Sequence, residues 1–544
     1  MDVNFNTASN LLPLFQTMRK DTTTCQYGLG ILWTVLLLSW SLQGAARSPS
    51  EVMQQIQRLI QQGDLTTAGS QLTRALQEFP NEPGLYNLMG VVAAQQRDYA
   101  SAESLFKKAV QKAPQFTGAY LNLGRLYQEN AGKEPGALQK GLETYQKILS
   151  YEPAHVEANY QSALLLQRQG LFKLSLGHLA RLPAPEQERA QALSVRCADQ
   201  LGLGEESQAS AVAEKLLKSP DLTEADVVSI LPVFSLHPQD DLEERLLAGL
   251  ANRQLSSAST LRQLGLVYER RGKLGLARKS LEEVAQRDSV SASLLTELAR
   301  IAYKQEDYKG TLGYLAHARD LEPQKAGIHF FFGMVCVTLD LSQDAYISLK
   351  KAVSLDSSNP YYNYALGAVT VQRKDPSEAV PYFQKYTQLK PEDPRGRFAL
   401  GVAYFHSGDL ASARQELQAV AQSSETAAGA HYFLGRLAKQ EDKLDEAVAE
   451  VQEAVRINPR YAEAHAELGL LYLRERQYEL SERSLMRALE IDPDSYAANL
   501  NLLNLFQRTK DRRAESQAER FEEVKKKRSE KEQALLRTLD IRPY

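Results

Sequence analysis

Small and apolar positions return along this chain in a fixed phase, with polar residues between them. Gly265, Ala299, Gly333, Gly367, Gly401, Gly435 and Gly469 stand 34 residues apart. Twelve residues after each lies a second, mostly small position: Ala277, Thr311, Ala345, Ala379, Ala413, Ala447 and Ser481. Seven further on comes a third, read as Val284, Ala318, Ala352, Tyr386, Val420, Ala454 and Ala488. Pro323, Pro391, Pro459 and Pro493 close four of these units. Small side chains at such points let two helices of a hairpin, and then the next hairpin, approach closely. The pattern predicts two helices per period, and a period of this length marks a stacked repeat rather than a single compact core.

The unit 83–116 places Tyr86, Met89, Gly90, Ala102, Phe106, Ala109 and Pro114 in this phase, and 462–495 repeats it with Leu468, Gly469, Tyr472, Leu485, Ala488 and Pro493. These residues resemble the tetratricopeptide repeat, a helix–turn–helix of about 34 residues. The register also runs backward: Gly124 follows Gly90 by 34, and Ile56 precedes it by 34 with Ala68, Leu72, Ala75 and Pro80 in phase. From Gly124 to Gly265 is 141 residues, four periods and five more. An insertion around 130–136 accounts for the surplus, after which Gly141, Tyr145, Ile148 and Pro153 resume the pattern. Ala163, Cys197 and Leu231 then take the remaining small-residue positions. The resemblance implies an all-α, right-handed α-solenoid of about thirteen hairpins.

Departures from the pattern divide the chain. Residues 49–182 read as about four repeats. Residues 183–257 stay helical in pattern but degenerate: Pro183 and Pro185 interrupt the run, Glu243 replaces a small residue, and Pro232 falls inside an expected first helix. A proline there costs about 3 kcal/mol or kinks the helix, so this stretch reads either as a joint or as diverged repeats. Residues 258–495 give seven regular repeats. Residues 496–508 read as a helix capping the open end, and 509–544 as a charged, helical, solvated tail that extends from, or lies along, the last repeat. Its block Lys525-Lys526-Lys527-Arg528 is flanked by Glu522, Glu523, Glu530 and Glu532, which offset its field.

The N-terminal 46 residues carry an uncharged run from Tyr27 to Ala46, preceded by Arg19 and Lys20. It reads either as a signal peptide cleaved after Ala46 or as an uncleaved anchor, being near the ~20 residues that span a bilayer. Met18 offers a second start with a short basic lead. Both readings put the repeats outside the cytoplasm, periplasmic or secreted in the first case and membrane-anchored in the second.

Lys and Arg number 64 against 67 Asp and Glu, a net charge of −3, which gives no general affinity for nucleic acid. Three cysteines are too few for a disulfide framework. Cys197 and Cys336 fall in small inward slots about four repeats apart, too far to bridge. The eight histidines are scattered; His329, His431 and His465 share the fourth position of their repeats and are too far apart to share a metal. No catalytic or cofactor-binding constellation stands out, so the chain reads as a non-enzyme with no metal or cofactor.

Binding is more legible. By resemblance, positions 2, 5, 9, 12 and 13 of each first helix face the concave side. In four successive repeats they supply Phe330 and Met334; Tyr361, Tyr364 and Val371; Arg395, Phe398, Val402, Phe405 and His406; and Tyr432, Arg436 and Lys439. This predicts an aromatic trough with basic residues at one end, either a partner site or a set of rings packed on one another. The same positions earlier in the chain are mostly polar, among them Asn87, Gln95, Arg125, Gln128, Arg262, Glu269 and Arg270. Two binding modes of the family are not matched: the thirteen repeats have no asparagine at position 9, and among them only Asn122 occupies position 6. The reading is a protein-interaction scaffold holding a peptide or helix of another protein, with membrane contact only through the N-terminal run. An alternative is a regulatory or assembly subunit of a membrane-bound envelope polysaccharide or lipid system.

Overall fold

A computed structural model describes residues 48–130, 135–373 and 375–537, with side chains through 527. The apolar run at 27–46, with its expected cleavage site, lies outside these residues, as does part of the insertion near 130–136. Among the described residues there are helices and no strands, and no helix is long and apolar enough to cross a membrane. The chain divides into two compact units, one up to Leu165 and one from Leu166.

Each unit is a stack of antiparallel helical hairpins, the arrangement of an α-solenoid. Helices pack on their sequence neighbours, and a first helix also touches the first helix of the next hairpin: Pro83–Gln95 on Thr117–Glu129 in the first unit, Pro360–Gln372 on Pro394–Ser407 in the second. The eighth position of the repeat sets the spacing within a hairpin. A Cβ added at Gly333 would lie 2.7 Å from the side chain of Leu349, and one at Gly469 2.5 Å from Leu485. In both cases the opposing residue is sixteen places on. At Gly124 the opposing side chain is Tyr145, with 2.5 Å to the added Cβ. That separation is twenty-one, sixteen plus the five surplus residues, so the insertion lies inside the hairpin turn and the phase survives it.

The turn between paired helices carries a left-handed residue. Gly63, Gly170, Gly204, Gly272 and Gly408 take it with φ of 70–89°. At the same register Arg97, Glu306, Asp340, Asp442 and Arg476 take φ of 56–64°, a conformation that disfavours any side chain with a Cβ. Another device joins hairpins. Asn159, His329, Asn363, His465 and Asn499, all at the fourth position, hydrogen-bond a carbonyl six residues earlier; His329 Nε2 lies 2.9 Å from Pro323 O and His465 Nε2 3.1 Å from Pro459 O. These bonds satisfy carbonyls of the turn just past the end of the preceding helix. His431 breaks the pattern and meets Glu450 instead, Nδ1 to Oε2 at 2.6 Å.

Between 183 and 257 the proline at 232 does not kink one helix; two short helices form, Glu224–Val228 and Leu231–Phe234, with Pro232 in the first turn of the second. Its missing N–H costs nothing there. A continuous core of Leu193, Cys197, Leu216, Ile230, Leu246 and Leu250 runs through this stretch. Glu243, standing where a small residue is usual, is buried and receives Arg270 Nη2 at 2.6 Å and Gln263 Nε2 at 2.9 Å. Cys197 and Cys336 are free and buried, and burial pushes both thiols up to about 12. At the C-terminal end, the helix Tyr496–Thr509 is followed by Ala514–Arg537. The latter buries Phe521 and Val524 and lays Phe521 5.0 Å from the ring of Tyr496.

Candidate functional site: the inner face of the first helices

Polar inner-face residues pair with one another from repeat to repeat. In the first unit Asn122 Nδ2 donates to Asn87 Oδ1 at 3.0 Å, Arg125 Nη2 to Glu157 Oε1 at 3.0 Å, and Gln128 Nε2 to Gln161 Oε1 at 2.8 Å. In the second, Arg262 forks onto Glu297, while Arg300 and Lys304 each reach Glu269 at 2.7 Å. Glu269 is nearly buried, so its charge is matched by cations from the neighbouring first helix. Rungs of this kind tie adjacent hairpins together and leave little uncompensated charge.

The aromatic stretch is built differently. Four first helices carry it: Ala326–Thr338, Pro360–Gln372, Pro394–Ser407 and Ala427–Gln440. Phe330 lies with its ring 4.7 Å from that of Tyr362. Tyr364 packs against the second helix of its own hairpin, 4.9 Å from Tyr386 and 5.6 Å from Phe383, and burial raises its phenol above the usual range. Arg395 forks onto Asp393, with Nη2 2.6 Å from Oδ2. That contact holds the carboxyl of Asp393 well below its ordinary value. The charge of Arg395 is therefore compensated by the residue that caps its own helix.

At the other end the rings converge. Phe433 is 6.0 Å from Phe398, 5.4 Å from Phe405 and 5.2 Å from Tyr432, and Tyr432 leans on Tyr461 at 5.1 Å. The guanidinium of Arg436 stacks over Phe405 at 4.8 Å, with Phe433 at 5.4 Å and Tyr432 at 5.6 Å. Such cation–ring contacts are favourable by about 0.5–2 kcal/mol. His406 sits edge-on to Phe405 and Phe433, and desolvation, with Arg436 nearby, lowers its pKa. Lys439 pairs with Glu467. Among the described residues no carboxylate pairs with Arg436.

The expected trough is thus only partly open. Phe405 is buried, and Tyr364, Phe398 and Tyr432 rest against other rings; Met334, Tyr361, Arg395 and His406 are exposed, Tyr361 to 54%. Phe433, the centre of the ring cluster, stands at the sixth position of its repeat, outside the register read as inward-facing. Its signal was the run His431-Tyr432-Phe433, too dense in rings for a single face. Among the described residues no three His, Cys, Asp or Glu side chains come together as a metal set.

Family models described as tetratricopeptide repeat match residues 53–115, 262–326, 371–437 and 462–495, and one described as TPR repeat matches 435–475. No curated protein matches the chain. Among solved structures, the APC/C hetero-tetramer Cut9-Hcn1 is 15% identical, covering 85% of this chain and 97% of that one with a TM-score of 0.36. The pilF protein of Pseudomonas aeruginosa is 24% identical over 37% of this chain and 92% of its own, at a TM-score of 0.31. YrrB, described as a TPR protein with an unusual peptide-binding site, is 20% identical over 41% of this chain and 96% of its own, at 0.27. Scores this low leave function open.

Proposed function

Since this chain is a tetratricopeptide-repeat protein, we propose that it is an exported scaffold that holds a peptide or helix of another protein on the inner face of repeats spanning 326–440. One observation carries the reading: Met334, Tyr361 and His406 stay exposed on successive first helices, beside an Arg436 that pairs with no carboxylate among the described residues. Large apolar and aromatic groups with a desolvated cation are the usual anchors of protein recognition. The polar rungs elsewhere on the inner face are self-satisfied and offer a partner less. Export rests on the uncharged run 27–46.

A photo-crosslinking amino acid placed at Tyr361 or His406 of the full chain in intact cells tests this. Both positions are expected to capture the same protein, and Ile347, exposed on a second helix, is expected not to. Equal capture from Ile347, or none from the first two, contradicts the proposal. The uncharged run also supports a second reading, a membrane-anchored regulatory or assembly subunit of an envelope system. Mature protein beginning near Arg47 counts against that one.

A further inference from the structure

The inner face offers one more place where charge is left over. First helices Ala462–Arg474 and Tyr496–Thr509 pack side by side. Between them opens a cleft of about 450 Å³ lined by Leu470, Leu473, Arg474, Asn504, Gln507 and Arg508. These are the ninth, twelfth and thirteenth positions of the two helices. Elsewhere in this unit several cations in that register meet carboxylates, Arg436 being an exception: Arg270 meets Asp240 and Glu243, Arg300 and Lys304 share Glu269, and Lys439 meets Glu467. At Arg474 and Arg508 no such partner exists among the described residues, and both are exposed. Each lies in the last turn of its helix, where the helix dipole favours a cation without neutralising it. Leu473 is buried and Leu470 half-buried beneath them, and Asn504 and Gln507 add amide groups able to bond a peptide main chain.

We propose that this cleft binds a carboxylate side chain of an acidic peptide segment in a protein partner, with the apolar neighbour of that side chain against Leu470. Two guanidiniums give paired N–H donors for carboxylate oxygens. The leucine floor and the amides suit a peptide rather than a bare anion, and the chain's net charge of −3 provides no extended basic track for nucleic acid. The inference rests on the scaffold reading above and assigns it a second, chemically distinct contact outside the aromatic stretch.

The test uses the full chain and two fluorescein-labelled octapeptides, alternating Leu-Glu and alternating Leu-Gln, followed by fluorescence anisotropy. The Leu-Glu peptide is expected to bind saturably and to weaken at high salt. The double variant Arg474→Gln/Arg508→Gln should bind it about tenfold more weakly, and the Leu-Gln peptide should lose as much on the unchanged chain. Arg460→Gln/Arg483→Gln, which removes two other exposed arginines, should bind as the unchanged chain does; circular dichroism checks that both variants are folded. Unaltered binding by the first variant overturns the proposal. So does an equal loss in the second, absence of saturable binding, or inorganic phosphate competing as well as the Leu-Glu peptide. Any of these with partner capture at Tyr361 intact removes the cleft alone; loss of capture at Tyr361 and His406 removes the scaffold reading instead.

Discussion

The recurring glycine does its work through one contact. At Gly333 an added Cβ would sit 2.7 Å from Leu349, so that the leucine side chain or the paired helix has to shift. Gly333→Ala is therefore expected to destabilise by about 1–3 kcal/mol in denaturant titration. Gly333→Ala with Leu349→Ala should cost less than the sum of the single changes, because both act on one space; strict additivity contradicts the contact. The left-handed turn makes the opposite prediction. Glu306 has φ of 60° at a position where Gly272 and Gly408 stand in other repeats, so Glu306→Gly should stabilise by up to ~1 kcal/mol, and a loss of stability contradicts the strain. Asp199 is a third case. It is fully buried, neither carboxylate oxygen has a well-formed hydrogen bond, and burial pushes its pKa up to about 8, with Ser175 acting in the opposite direction. The folded chain thus keeps a proton that the unfolded chain releases near the ordinary value of 3.8. Stability is lost as pH rises between those two values and levels off above about 8. Asp199→Asn should remove that part of the slope in melts between pH 5 and 9, and an unchanged slope contradicts the burial argument. The eighth-position glycines were plain in the sequence because they recur. Asp199 was not, because a lone aspartate in a helix looks like any solvated one.

At the scale of elements, the paired helices were readable from periodicity, since close packing at fixed points demands small residues at fixed intervals. The ends were harder. Pro232 predicts a disturbed helix, yet whether it kinks or divides depends on the surrounding core, where Val227, Ile230, Val233 and Phe234 all find burial. The tail was read as solvated because it is dense in charge. Two of its apolar residues, Phe521 and Val524, are spaced to meet one face, and both are buried, with Arg520 and Lys527 reaching Asp494. Val524→Asp should release this helix, raising hydrogen exchange over 514–527 while leaving earlier hairpins protected. Unchanged protection there would mean that the charges alone hold it. The aromatic site was half legible: register identified Tyr361, Phe398, Tyr432 and Arg436, but not how the rings divide between surface and packing. That division depends on Phe433 and Tyr461, which no single repeat places together.

For the whole molecule, the account stands on nearest-neighbour packing. Each hairpin buries its apolar side only against adjacent ones, which lets a long chain fold without a single large core. The same logic explains why the sequence reveals repeats more readily than a partner: packing imposes one residue type at each period, whereas binding uses a few positions that occur once. The five-residue surplus after Gly124 tests this directly, because a lost phase there would place different residues together. An experimental density map of the full chain at side-chain resolution is the decisive measurement. The account predicts the Tyr145 ring over Gly124, twenty-one residues apart, with the sixteen-residue pairing of Gly90 and Phe106 before it. Lys140 opposite Gly124 instead would contradict a phase continuous through the insertion.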